Sequence, residues 1–149
     1  NFLIKNNNKA IVDKIFNSFF KKEYQKKLFK NFYLNKSQIK KMHRSGMIIG
    51  GHAHSHRLLG LLKQKEQEIE IKKNISCLKN ILNKKVSSFA FPYGGKLSYN
   101  KATVKILKKN EIKFSFNTGD KIVKKLKNHH NINRINCNKF RFGKIYKYN

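Results

Sequence analysis

The chain has few of the features that would point directly to a function. Its two cysteines, Cys77 and Cys137, lie far apart and form no Cys-x-x-Cys pair, so they provide no zinc-finger or redox motif. Cys77 lies close to the apolar face of a helical pattern, and we expect a free thiol in the core. No apolar run approaches the ~20 residues that span a bilayer. No signal peptide is visible, which leaves both a cytoplasmic and a cell-envelope location open.

Acidic residues are scarce, and this gives the chain an unusual charge. Thirty-five lysines and arginines stand against seven aspartates and glutamates, for a formal net charge of +28. Such a field attracts nucleic acid and anionic surfaces without specificity at low salt. Only four of the cations are arginines, however, and proteins that recognise bases rely on arginine. The lysines are scattered along the chain, and no nucleic-acid-binding motif is present. Specific nucleic-acid binding is therefore the least favoured class.

Length and apolar content indicate one globular domain of alternating helices and strands. The chain has 149 residues, of which 39% are hydrophobic. Asn35 and Gln38 are spaced as a capping box, and Gly46 suits the position that follows a helix. Such alternation predicts a largely parallel α/β sheet with its sites at the carboxyl ends of the strands. The predicted helices are 10–30 (broken near Tyr24), 35–46, 64–82 and 99–109, and the predicted strands are 47–50, 86–91, 112–117, 132–135 and 145–148.

Three of the six histidines fall within five residues. His52, His54 and His56 follow the short apolar run 47–49, and imidazole is the commonest protein ligand for transition metals. In a helical turn, residues four apart share a face, whereas in an extended segment all three rings share one. The spacing alone favours metal binding no more than an exposed polar loop.

A second segment ends a β-branched and aromatic run abruptly. Residues 86–95 read Val-Ser-Ser-Phe-Ala-Phe-Pro-Tyr-Gly-Gly and contain Pro92, the only proline of the chain. Proline fixes φ and glycine permits unusual φ, so the loop can direct backbone amides at a ligand. Taken alone, these residues are better explained by an ordinary turn after a strand.

Together the two segments resemble motifs of the polysaccharide deacetylase family, the NodB-homology domain of carbohydrate esterases. That family carries Gly-[Ser/Gly]-His-[Ser/Thr]-x-[Ser/Thr]-His after a short strand, and aromatic-Pro-[Tyr/Phe]-Gly further on. Residues 50–56 match the first motif except at Ala53, and residues 91–94 match the second. The resemblance extends over about residues 34–136. It implies an α/β fold, a partial or distorted (β/α) barrel of the NodB type.

The resemblance also implies a reaction and its residues. His52 and His56 would hold a divalent metal, in this family most often zinc, while His54 is the intervening residue and no ligand. The substrate would be an acetylated polysaccharide or glycan that loses N-acetyl or O-acetyl groups. In the loop, the backbone amide of Tyr93 would stabilise the oxyanion and Pro92 would shape the turn.

The resemblance also implies that two residues of this loop, Phe91 and Gly94, contact the substrate.

Three departures limit this comparison. The family's Thr-Phe-Asp-Asp motif supplies a catalytic base and the third metal ligand, yet the only aspartates here are Asp13 and Asp120. Ala90 stands where many members have arginine. The late histidine that acts as general acid is not recognisable, although His129 and His130 follow.

An N-terminal truncation explains the missing aspartates most simply. We therefore expect residues 1–149 to form a single deacetylase-like domain that lacks its first strand, with weak metal binding and little turnover. The alternatives are a homologue that has lost the motif and only binds glycans and, less favoured, a basic nucleic-acid-binding domain.

Overall fold

The computed structural model describes residues 9–119 and 122–135. Within them, helices precede and alternate with short strands. The helices are α1 (Lys9–Phe19), α2 (Lys22–Phe32), α3 (Lys36–Arg44), α4 (Gln64–Leu82) and α5 (Lys101–Lys109), with a 3₁₀ turn at Leu59–Leu61. The strands are β1 (Ser88–Ala90), β2 (Phe114–Asn117) and β3 (Ile132–Asn133).

The three strands form one parallel sheet in the order β1-β2-β3. Phe89 pairs with Ser115, and on its other side it bridges Gly51 in parallel. The segment that leads into the histidines therefore lies beside β1 as the next extended stretch of the sheet. The predicted α/β alternation and the parallel sheet are confirmed, although the strands are shorter than predicted.

The core lies between this sheet and helices α4 and α5. Phe89 and Phe91 of the β1 segment are completely buried, together with Leu59, Ile71 and Leu107. Helix α4 has the predicted bounds, and the rest of its predicted stripe (Ile75, Leu78 and Leu82) packs against the core. The hydrophobic pattern of α4 thus determines which face of the helix lies on the sheet.

The residues predicted to begin and end α3 do so. The Asn35 side chain accepts from the Gln38 amide and the Gln38 side chain accepts from the Asn35 amide, which forms the predicted capping box. Gly46 follows the helix with a φ of +89°. The predicted break in helix 10–30 is present, but it lies between Phe19 and Lys22 rather than at Tyr24.

Two predictions were wrong. Residues 47–50 do not form a buried strand, since Met47 and Ile48 are 52% and 83% exposed and only Gly51 bridges β1. No described strand covers the outer side of this segment. Cys77 is exposed rather than in the core, because six residues after Ile71 is about 240° around the helix axis, away from the buried stripe.

Two sequence predictions lie outside the described residues, namely Cys137 and strand 145–148. No helix among the described residues is long and apolar enough to span a membrane.

Replacing the buried Phe89 by alanine should destabilise the fold far more than replacing the exposed Ile48. Phe89→Ala removes a completely buried ring from the centre of the sheet, and we expect a loss of about 3–5 kcal/mol in the free energy of unfolding, measured with urea. Ile48→Ala is the control, because its side chain is mostly exposed, and it should change the value by less than about 0.5 kcal/mol. A large loss for Ile48→Ala would contradict the described exposure.

Candidate active site

The two motifs meet at the carboxyl end of the sheet. His52 follows Gly51 directly, Pro92 follows the β1 segment, and Thr118 follows β2. Because neighbouring parallel strands end at the same edge, the residues that follow them come together there. The rings of His56 and Tyr93 are in contact, with centroids 4.7 Å apart, so the histidine loop and the proline loop form one surface.

His52 and His56 are adjacent and oriented as a pair. Their ring centroids lie 4.8 Å apart in an edge-to-face arrangement. Nδ1 of His52 lies 2.7 Å from the carbonyl oxygen of Ala90. A carbonyl can only accept, so Nδ1 carries a proton, and in the neutral ring Nε2 keeps its lone pair. Partial burial, and then the neighbouring His52, lower the pKa of His56, which favours its neutral form.

This geometry suits two ligands of one metal ion. Two imidazoles bound to a tetrahedral zinc at ~2.0 Å have ring centroids about 5 Å apart, close to the 4.8 Å between His52 and His56. The Nδ1 hydrogen bond of His52 to a backbone carbonyl is the usual support of a ligating histidine. A complete site needs more donors, and within the part of the chain that the structure describes no three His, Cys, Asp or Glu side chains are grouped to share an ion.

The carboxylate of Glu70, a residue of α4, holds the histidine loop in place. It is only 7% exposed and accepts three hydrogen bonds from the loop: from the His54 amide at 3.1 Å, the Ser55 amide at 2.8 Å and the Ser55 hydroxyl at 2.6 Å. Hydrogen bonds to a buried charged group are stronger than those between neutral groups. Glu70 therefore fixes the turn that brings His56 back to His52.

One helical turn further along, Asn74 supports the start of the same loop. Its side-chain oxygen accepts from the His52 amide at 3.0 Å. A Cβ at Gly51 would lie 2.7 Å from this oxygen and 2.7 Å from the Phe89 ring, so only glycine fits there. Glu70 and Asn74 were not predicted from the sequence. The available signal was their i, i+4 spacing on the side of α4 that also carries the buried Gln67 and Ile71.

The proline loop is fixed against the end of β2. Thr118 donates from its amide to the Gly94 carbonyl at 3.0 Å and from its hydroxyl to the Tyr93 carbonyl at 3.2 Å. Tyr93 and Gly94 both have positive φ, +63° and +71°. Among the described residues, the Tyr93 amide has no hydrogen-bond acceptor, so it is available to a ligand beside His56.

The remaining predicted residues occupy different environments. Pro92 is buried, and the buried Phe91 ring stacks on Tyr99 at 4.2 Å. Phe91 can therefore meet a substrate only through its backbone, and the substrate role assigned to it and to Gly94 stays a prediction. His54 is exposed between the two paired histidines.

The structure does not bring His129 or His130 to the histidine pair. The His129 ring packs against Phe114, and its carbonyl accepts from Ser115 near the amino end of β2. Their sequence-based role as general acid has no support in this arrangement.

Comparisons with known proteins agree with these motifs. The sequence model described as polysaccharide deacetylase matches residues 2–115, and so begins well before residue 34, where the motif resemblance begins. The fold is similar to that of the deacetylase PplD from Streptococcus pyogenes, solved in complex with acetate, with a TM-score of 0.63 and 26% identity over 72% of this chain. No protein of curated function matches the chain significantly.

Two further structures are similar in fold. IcaB from Ammonifex degensii has a TM-score of 0.57 and 22% identity over 68% of this chain, and a polysaccharide deacetylase from Bacillus cereus has a TM-score of 0.57 and 24% identity over 68%. The chain covers 48%, 46% and 32% of the three proteins, respectively, so it spans about half of their length or less. The predicted fold, part of a NodB-type barrel, is confirmed.

Removing the charge of Glu70 should loosen the histidine loop. Glu70→Gln preserves shape but replaces one accepting oxygen with a donor that faces the loop's own N–H or O–H groups. We expect a loss of about 2–3 kcal/mol in the free energy of unfolding by urea, and changed amide NMR shifts at residues 52–56. Glu68→Gln on the same helix is the matched control: Glu68 pairs with Lys72 at the surface and should leave both readings unchanged. Equal behaviour of the two variants would refute the role of Glu70.

Proposed function

Because the chain belongs to the polysaccharide deacetylase family, we propose that it provides part of the active site of a metal-dependent hydrolase. That hydrolase removes N-acetyl or O-acetyl groups from a polysaccharide or glycan. The observation that carries the proposal is the pair His52 and His56, whose ring spacing and Nδ1 hydrogen bond suit two ligands of one ion. The solved deacetylase PplD, which contains acetate, is in keeping with this reaction class.

The histidine pair would hold a divalent ion, for which we propose zinc. When bound, the ion supplies Lewis acidity, which activates water and polarises the acetyl carbonyl. The protein's own contribution is to present Nε2 of His52, with its proton held at Nδ1 by the Ala90 carbonyl. His56 completes the pair because the Glu70 carboxylate fixes the intervening turn.

The Tyr93 amide is the proposed donor to the oxyanion that forms when water attacks the acetyl group. It lies in the loop that contacts His56, and no acceptor among the described residues competes for its proton. A donor fixed before the reaction costs no reorganisation in the transition state, which is why such donors contribute strongly to rate. Pro92 and the Thr118 hydrogen bonds hold the loop in this orientation.

A second candidate is a glycan-binding relative without turnover. It is favoured by one observation: within residues 9–119 and 122–135, no third ligand accompanies the two histidines. The family's aspartates supply that ligand and the base, and neither Asp13 nor Asp120 stands in the motif context. In the first candidate the histidine pair is needed to release acetate from the glycan, whereas in the second the protein binds the glycan without it.

Zinc should bind this chain weakly and only with both paired histidines present. In calorimetric titrations we expect saturable binding to the parent and none to His52→Ala or His56→Ala, because each removes one of two ligands. His54→Ala is the matched control, since among the described residues no ring contact joins His54 to either member of the pair, and it should bind as the parent does. Binding that survives both His52→Ala and His56→Ala, or that His54→Ala abolishes, would overturn the ligand assignment.

Acetate release separates the two candidate functions. With zinc and an N-acetylated glucosamine polymer, a hydrolase should release acetate slowly, and His52→Ala should abolish the release while His54→Ala preserves it. A glycan-binding relative should release none, and its affinity for the polymer should be unchanged by a chelator or by His52→Ala. The measurements are an enzymatic acetate assay and calorimetry with the polymer.

A further inference from the structure

Helices α1 and α2 carry large apolar side chains that the other described residues leave uncovered. No described side chain from residue 10 to residue 40 is buried. Phe19 and Phe32 are the extremes, 77% and 79% exposed. Large apolar surface facing water usually marks a site that contacts a partner or a membrane. The other exposed apolar residues here are Ile11, Ile15, Phe16, Tyr24, Phe29, Tyr33 and Leu34.

In each helix most of these side chains lie on one face, although Phe29 lies about 100° around α2 from the row of Tyr24 and Phe32. In α1, Ile11, Ile15 and Phe19 succeed each other at intervals of four residues, which places them in one row. In α2, Tyr24 and Phe32 lie eight residues apart in a similar row, with the half-buried Leu28 between them. Rings along this segment also contact each other, as Phe20 and Tyr24 do with centroids 5.7 Å apart. Each helix is therefore amphipathic, with its apolar face open to solvent.

The opposite face of α2 is basic, whereas that of α1 is mixed, with Asp13, Lys14 and Asn17. Residues 9–33 contain seven lysines against only Asp13 and Glu23, and in α2 the lysines 22, 26, 27 and 30 fall on the side away from the Tyr24 and Phe32 row. A helix with Lys on one face and Phe, Leu or Ile on the other is typical of helices that lie in the interface of an anionic membrane. The apolar side enters the acyl boundary and the lysines meet the headgroups.

We propose that α1 and α2 form a docking surface for an anionic lipid bilayer, on which they lie without crossing it. A second copy of this chain is a poor occupant, because two molecules of formal charge +28 repel each other. Nucleic acid would satisfy the lysines and could stack on the exposed rings, but it would leave the aliphatic side chains of Ile11, Ile15 and Leu34 facing water. An anionic bilayer satisfies both faces at once.

Insertion can be separated from simple attraction by fluorescence, because the chain contains no tryptophan. Phe19→Trp and Phe32→Trp each introduce a single reporter at the apolar face. With vesicles of phosphatidylcholine and phosphatidylglycerol, we expect both to shift their emission to the blue and to become protected from an aqueous quencher. Ile48→Trp, at a site that is also highly exposed but lies outside these helices, should show neither change.

Vesicle sedimentation tests the same surface without a probe. The parent should bind vesicles that contain phosphatidylglycerol and bind pure phosphatidylcholine at least about tenfold less. Replacing both rings, Phe19→Ser with Phe32→Ser, should weaken binding to the anionic vesicles at least about tenfold. The matched control, Ile48→Ser with Leu97→Ser, removes exposed apolar side chains elsewhere and should bind as the parent does.

Three results would overturn the proposal. The first is that Phe19→Ser with Phe32→Ser binds anionic vesicles as tightly as the parent does. Binding would then need only nonspecific charge attraction. The second is no blue shift of either tryptophan reporter with bound vesicles. The third is a parent dimer, seen by sedimentation velocity, that Phe19→Ser with Phe32→Ser converts to a monomer while vesicle binding is unchanged, which would assign the face to a second copy.

Discussion

The candidate site depends on one buried carboxylate. Glu70 projects from α4 and accepts three hydrogen bonds from the turn between the paired histidines. Without it, two backbone amides and a hydroxyl would lose their acceptor in a half-buried position, which is costly. Ile71 packs α4 into the core. The Glu70 hydrogen bonds therefore attach the histidine loop to a helix that is itself held in place by the core.

The hydrogen bonds of Glu70 and Thr118 matter because the two loops that they hold contain residues with an unfavourable backbone conformation. Ala53, His56 and Tyr93 all have φ near +60°, a conformation that costs a non-glycine residue of the order of 1 kcal/mol. Two of these three residues belong to the turn that Glu70 holds, and Tyr93 belongs to the loop bound by Thr118. The residues with this costly conformation include His56, whose ring contacts His52, and Tyr93, whose amide has no acceptor among the described residues.

The sequence predicted the periodic parts of this structure well and the context-dependent parts poorly. Helix α4 is where its apolar spacing placed it, and the two motifs meet as their positions after strands implied. Residues 47–50 look apolar enough for a buried strand, but burial depends on a neighbour beyond them, which composition does not reveal. Glu70 was not predicted, because its i, i+4 spacing with Asn74 marks one face of α4 but does not reveal the distant turn that this face contacts.

The central claim is that His52 and His56 together hold one metal ion. Anomalous diffraction at the zinc absorption edge, from crystals of this chain grown with zinc, tests it directly. We expect a peak within bonding distance of Nε2 of His52 and of a ring nitrogen of His56, at ~2.0–2.1 Å from each, with the Nδ1 hydrogen bond to Ala90 unchanged. A strong peak at other side chains, with none between these two rings, would contradict the claim.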